Sequence, residues 1–264
     1  MFGMLRSLWH YRGFIASSVR NEFITKFARS RLGGLWMIIH PLVQVAIYTL
    51  ILSNVLAAKL PGIENRYAYA IYLIAGTIAW SLFSEIISRC LNLFIEHGNL
   101  MKKMRFPRIA LPAIVVGSSL MNYLVLLLAA CIVFMILQHD ITAQSIWLIP
   151  LTIIVLMLAL GIGLLLGVLN IFIRDIGQVT PILLQLTYWF TPIVYPQNII
   201  PNWAKQALCF NPLYPIIEGY HEVIAYGRPP NITQLTYIFL FSLVLLLLGL
   251  FVFRRASAEM VDAL

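Results

Sequence analysis

Residues 35–56 run for 22 positions without an Asp, Glu, Lys or Arg. A helix of that length reaches across a hydrocarbon core of about 30 Å. Lipid offers the backbone no hydrogen bonds, so a lipid-facing segment of this kind has to pair its own N–H and C=O groups. The residues just ahead of it are of the opposite character. Read as a helix, Val19, Phe23 and Phe27 repeat at i, i+4 and i+8, while Arg20, Lys26 and Arg29 take other faces. Glu22 stands four residues before Lys26, the favourable order for a surface pair. Gly33 and Gly34 separate the two parts. The pattern predicts a basic amphipathic helix on the membrane surface that turns at the glycine pair into a spanning helix.

The rest of the chain agrees. It is 61% hydrophobic and 11% charged, against about 25% charged for soluble domains, and its mean hydropathy is +0.89. That composition excludes a soluble globular fold and predicts an all-α integral membrane protein. It forms one transmembrane domain, 1–264: an interface helix (1–34), spans one to five (35–195), an outer connection (196–233), and a last span with its tail (234–264). Six spans fit the hydropathy, at 35–56, 69–87, 113–137, 146–173, 176–195 and 235–253. Tyr67, Tyr69 and Tyr72 suit an interfacial belt at the start of the second. The cationic stretch 89–108 follows as a short surface helix. Gly161, Gly163 and Gly167 give the fourth span a small-residue face for a neighbouring helix, and Arg174-Asp175 ends it. Two short outward-facing re-entrant helices are expected at 203–210 and 216–226. No cleavable signal peptide is apparent in the first 14 residues.

Charge fixes the orientation. Of the 18 Lys and Arg, only Lys59, Arg66, Lys205 and Arg228 fall on one side of this topology. The other fourteen mark the cytoplasmic side and place both termini there. The net charge of +8 therefore reads as topology signal and anionic-lipid contact, not as a nucleic-acid surface.

Motifs for chemistry within the chain are missing. It has no G-x-x-x-x-G-K-[ST], no H-E-x-x-H and no G-x-S-x-G, so it binds no ATP in the P-loop manner, and no enzyme signature stands out. Cys90, Cys131 and Cys209 are scattered without metal-ligand spacing and read as small apolar filler. Glu85 and Arg89 sit at i, i+4 near the inner end of span two, a local pair with Arg89 reaching to the interface. Glu218, His221 and Glu222 share a helical face, yet no fourth ligand is visible. A polar-faced outer helix explains them better than a metal. Tyr188, Trp189, Phe190 and Tyr195 close span five, with Tyr188 and Tyr195 two turns apart on one face. Sugar rings stack on such aromatics, although an ordinary interfacial belt uses the same residues. Trp80 and Phe83 are weaker candidates for the same role.

Several separated motifs carry a resemblance. They are Arg29-Ser30-x-Leu32-Gly33-x-Leu35-Trp36, then His40-Pro41-Leu42 and Tyr48, then Asn170-x-x-x-Arg174-Asp175. Trp189-Phe190-Thr191-Pro192-Ile193-x-Tyr195 and Asn211-Pro212-x-Tyr214-Pro215 follow. In this order they resemble ABC-2 type exporter permeases, and within them the translocators of O-antigen, capsule and teichoic acid. The resemblance implies a bacterial inner-membrane permease that works as a homodimer with two copies of a separate ABC ATPase, which carries the ATP and Mg, and that exports lipid-linked polysaccharide. It also implies ATPase docking or coupling through Arg20, Lys26, Arg29 and Arg31 on the interface helix. Lys102, Lys103 and Arg105 on a coupling helix, and Arg174 with Asp175, belong to the same expectation. A permease for a small drug or lipid is the nearest alternative, and a membrane enzyme acting on polyprenyl-linked sugar a more remote one.

Overall fold

The computed structural model describes residues 2–28, 32–33, 35–36, 38–40, 42–43, 68–98, 107–136, 139, 142–196, 200, 208, 210–257 and 259–260. Among them the chain is helical, with no strand. Two helices open it, α1 (Phe2–His10) and α2 (Arg12–Ala28). Then come α3 (Ala68–Glu96) and α4 (Ala110–Ile136). A 3-10 turn at Ala143–Trp147 leads straight into α5 (Leu148–Phe172). The last three are α6 (Ile176–Phe190), α7 (Tyr214–Ile224) and α8 (Ile232–Ala256). Four stretches among the described residues are long and apolar enough to cross a membrane: Ala68–Glu96, Ala110–Met135, Ala143–Phe172 and Ile232–Ala256.

Local chemistry sets the helix starts. Pro112, Pro150 and Pro215 fall in the first turns of α4, α5 and α7, where a missing N–H leaves no bond unmade. The Asn231 side chain accepts from the Gln234 N–H at 3.3 Å and caps α8. Arg254 and Arg255 sit in its last turn, facing the negative end of the helix dipole.

α3 is the central helix, buried along most of its length from Ala68 to Phe94. It packs chiefly on α5, with α4, α6 and α7 also against it, and α8 lies on the far side of α5. Glycines set these distances. A Cβ on Gly163 would lie 2.8 Å from the Cys90 Cβ, and at Gly167 the Cys90 carbonyl occupies the Cβ position. Gly161 turns the other way: its Cβ would lie 2.8 Å from the Leu245 carbonyl carbon of α8, whose Gly249 in turn faces the Gly161 carbonyl. The three glycines thus serve two neighbours rather than the single one predicted. Cys90 is filler in the expected sense, fully buried where α5 comes closest.

The second predicted span extends well past residue 87, through Arg89 to Glu96, because the Arg89 charge is met inside the protein and so does not end the helix. The fifth is shorter than expected. α6 stops at Phe190, since Pro192 supplies no N–H to continue it, and Thr191–Tyr195 form a turn. Fifteen residues rise about 22 Å, less than a hydrocarbon core. Most of the first span, with most of the stretch 99–108 and of the expected helix 203–210, lies outside the described residues. The turn ahead of span one is described at Gly33, whose φ of +23° suits a residue without a Cβ.

The bundle has two ends. α2, the C-termini of α3, α5 and α8, and the start of α4 gather at one, where Phe94 stacks on Phe253 with centroids 5.4 Å apart. The Thr191–Tyr195 turn, α7 and the start of α5 gather at the other, where His139 Nε2 lies 2.7 Å from the Ile224 carbonyl.

Candidate functional site

At the first end, the basic helix is fastened to the bundle by a charged seam. α2 packs against α4, with Val19 filling the space that a Cβ on Gly117 would need. One turn further, Glu22 Oε1 accepts from Arg89 Nη2 at 2.7 Å. Arg89 Nη1 donates to Ser118 Oγ of α4 at 2.6 Å and lies 3.5 Å from Glu85 Oε1. Glu85 in turn accepts from Asn122 Nδ2 at 2.6 Å. Arg89 therefore pairs with Glu85 as the spacing predicts, and it also bonds to Ser118 and to Glu22 of α2. It bridges three helices, and Glu22 engages it across 67 residues of sequence. A planar guanidinium suits this task, since its donors fan out towards several acceptors at once. Glu22, Ser118 and Asn122 are residues that sequence reasoning missed. One signal was present: Glu22 is the only acid in the first 63 residues.

Beside the seam, the α5–α6 corner is pinned to α3. Asn170 Nδ2 donates to the Leu91 carbonyl at 2.9 Å and to Asn92 Oδ1 at 3.4 Å. Gly177 leaves room for the Asn170 amide, whose Oδ1 would be 2.9 Å from a Cβ there. Arg174 and Asp175 form the exposed tip of this corner and make no ion pair with each other. Arg20 is exposed on α2, and Lys26 belongs to the same helix. Arg29, Arg31, Lys102, Lys103 and Arg105 lie outside the described residues.

At the other end, side chains from several elements hold the Thr191–Tyr195 turn. Tyr69 Oη donates to the Val194 carbonyl, and Tyr72 Oη lies 3.2 Å from the Pro192 carbonyl. Asn211 Nδ2 donates to Thr191 Oγ1 at 2.7 Å, and Tyr195 Oη donates to the Trp189 carbonyl at 2.7 Å. The His221 ring stacks on Tyr72, with centroids 3.6 Å apart. It is 3% exposed, and its Nε2 has no hydrogen-bond partner among the described residues. Burial pulls its pKa down to about 3. Nearby, Tyr123, Thr152 and Tyr220 close a buried hydroxyl triangle with edges of 2.8 to 3.0 Å. On α7 the His221 side chain is buried, with Glu218 and Glu222 of the same helical face half-buried beside it. Among the described residues no three His, Cys, Asp or Glu side chains come together as a metal site.

The aromatic candidates divide. Tyr188 is buried, wedged edge-on against Trp80 at 5.3 Å, and Phe83 is buried as well. Trp80 is half-buried. Tyr195 lies past the end of α6, so it does not share a helical face with Tyr188. Trp189 and Phe190 are 50% and 68% exposed and present their rings outward. Between α3, α5, α6 and residues 210–213 an apolar recess of about 660 Å³ opens to the exterior, with Phe83, Ile87, Leu166, Leu183, Phe190 and Phe210 in its wall. A lining of this kind suits hydrocarbon; a sugar would look for the indole N–H and the flat face of Trp189.

A family model described as ABC-2 type transporter matches residues 15–225. The chain belongs to the ABC-2 type transporter family. Its helical bundle is thus a transport permease, a multi-pass integral membrane protein. This ABC-2 chain is similar over its whole length to an O-antigen export system permease protein RfbA of Myxococcus xanthus, 25% identical over 267 residues with all of both chains covered. An RfbA of Klebsiella pneumoniae is 24% identical over 90% of each chain. A polysialic acid transport protein KpsM of Escherichia coli is 27% identical over 92% of this chain and 93% of its own length.

Proposed function

We propose that this chain is the transmembrane subunit of an ATP-driven exporter that moves a lipid-linked polysaccharide, O-antigen above all, across the bacterial inner membrane. The observation that carries this reading is the end-to-end similarity to O-antigen export permeases, with all of both chains matched. The similarity to the polysialic acid transporter supports a capsular glycan as the second reading.

In this reading the chain crosses the membrane six times, with both termini cytoplasmic and α7 on the outer side. Two copies form a homodimer, because six spans are too few to enclose a glycan path alone. The chain has no phosphate-cradling loop, so two copies of a separate ATPase supply ATP and Mg. They dock on the cytoplasmic end: on Arg20, Lys26, Arg29 and Arg31 of the interface helix, on Lys102, Lys103 and Arg105, and on the exposed Arg174–Asp175 corner. Force on α2 passes through Glu22 and Arg89 into α3 and α4. Trp189 and Phe190 then meet the glycan, backed by Tyr188, Trp80 and Phe83, with Tyr195 at the outer margin, while the recess beneath them receives hydrocarbon from the lipid carrier.

The test is export. In cells lacking the chain, surface polysaccharide should fall and the lipid-linked form accumulate inside, with both restored by the wild-type chain. Reversing Lys102, Lys103 and Arg105 to Glu should keep the permease in the membrane but lose ATPase co-purification and export. Unchanged surface glycan without the chain would overturn the function; normal complex recovery and export in the triple variant would overturn the docking assignment.

A further inference from the structure

α1 and α2 meet at Tyr11, and the joint is a cleft. It has a volume of about 710 Å³, and Arg6, Trp9, His10, Tyr11 and Arg12 form most of its wall. The first acid in the chain is Glu22, so this wall carries cations with no carboxylate near it in sequence. Arg6 and Arg12 are both exposed, and neither pairs with an acid among the described residues.

The Arg12 cation is held in place. The Arg12 guanidinium lies 4.8 Å from the centre of the Trp9 ring and donates to the Trp9 carbonyl at 3.2 Å. His10 and Tyr11 meet edge to face with centroids 5.2 Å apart. Stacking of this kind fixes the direction of a guanidinium and so reduces the entropy lost when it binds. Trp9 is 72% exposed, although a large indole normally seeks cover. A tryptophan with a wet edge and an apolar body belongs at the headgroup level of a bilayer. Gly13 adds no obstruction, since a Cβ there would meet nothing within 4 Å.

Two exposed guanidiniums match the oxygens of a phosphate, which accepts bidentate hydrogen bonds from such forks. An indole beside them matches the glycerol and acyl region just below a headgroup. We infer that the α1–α2 cleft is a binding site for a phosphate-bearing lipid headgroup of the cytoplasmic leaflet, one that seats the interface helix on the membrane. This rests on the cytoplasmic placement of the N-terminus proposed above.

The full-length permease in neutral detergent, titrated with phosphatidylglycerol or phosphatidylcholine and followed by native mass spectrometry, tests it. One phosphatidylglycerol should bind about tenfold more tightly than phosphatidylcholine, whose own cation offsets its phosphate. Each arginine removed should weaken that binding about fivefold, so R6Q/R12Q should remove the preference, while R6K/R12K, which keeps the charges and loses the forks, should keep only part of it. Equal affinity for the two lipids, or undiminished phosphatidylglycerol binding in R6Q/R12Q, would overturn the site. Inorganic phosphate displacing the lipid at equal concentration would overturn the lipid assignment in favour of a soluble phosphate compound. Labelling of a single cysteine at position 17 by an impermeant reagent in intact spheroplasts would overturn the topology alone, because the detergent measurement does not depend on it.

Discussion

At one end of the bundle Arg89 meets Glu22 and Glu85 with a quarter to a third of each side chain still exposed, 25%, 29% and 28%. At the other, Tyr72, Tyr220 and His221 are at most 3% exposed and carry no charge. The two ends cost very different amounts to open. Charges that remain partly hydrated exchange protein partners for water readily, because little desolvation has to be undone or repeated. Neutral hydroxyls buried within the bundle have no such substitute, and a broken bond there leaves a buried donor unsatisfied. The charged seam is therefore the end suited to moving, and the hydroxyl layer the end suited to staying put. In the arrangement proposed above, with a separate ATPase acting on the seam end, that is the useful way round.

The contrast can be broken by substitution. The largest effect is expected at Arg89→Ala, which leaves two carboxylates facing each other without their common partner. It should cost about 2.5 kcal/mol, less than for a fully buried pair because each group keeps part of its water, read as a lower midpoint in thermal unfolding of the purified permease, and export should fall with it. Glu22→Gln should spare most of that stability, since Glu85 still pairs with Arg89, yet it should impair export as strongly. If both variants lose stability alike and export follows stability, the seam is structural only.

Next comes Gly76→Val at the opposite end. Its Cβ would lie 2.8 Å from His221 Nε2 and 3.3 Å from the Ile193 carbonyl, so the new side chain has to displace backbone as well as a ring. About 2 kcal/mol is expected on the same unfolding assay, and no loss would mean that the outer layer is more yielding than the seam. Tyr220→Phe removes one corner of the hydroxyl triangle and leaves Tyr123 and Thr152 paired, for about 1 kcal/mol.

The smallest effect is a pH dependence. The folded-state pKa of His221 lies near 3, below its unfolded value of 6.5, so the unfolded chain takes up a proton that the folded chain refuses. Stability is full above the unfolded value and is lost as pH falls towards the folded one. Between about pH 7.5 and pH 6 the loss should be under about 1 kcal/mol, and it should vanish in His221→Gln. An unchanged slope in that variant would place the acid sensitivity elsewhere.

The apolar frame of the molecule was legible because long uncharged runs have few folding options, and the helices from α3 to α5 follow them. The seam was less so. Glu22 and Arg89 each had a local explanation, a pair with Lys26 and a pair with Glu85, and periodicity alone does not show that a surface helix will deliver an acid to a span 67 residues away. The end of α6 was misplaced for a different reason. Hydropathy continues through Ile193 and Val194, but Pro192 ends the helix and those residues are buried in the turn instead. Burial there comes from tertiary packing, which no window along the sequence records.

α5 is gripped on two sides, by α3 at Gly163 and Gly167 and by α8 at Gly161. Its length is consequently far less free to drift over evolution than its composition. Aliphatic residues along the exposed stripe can be exchanged for one another, but one residue inserted between Gly161 and Gly163 would turn one contact by about 100° relative to the other. Length variation among relatives should therefore collect in the connections and stop short of α5, which acts as the ruler against which its neighbours are set.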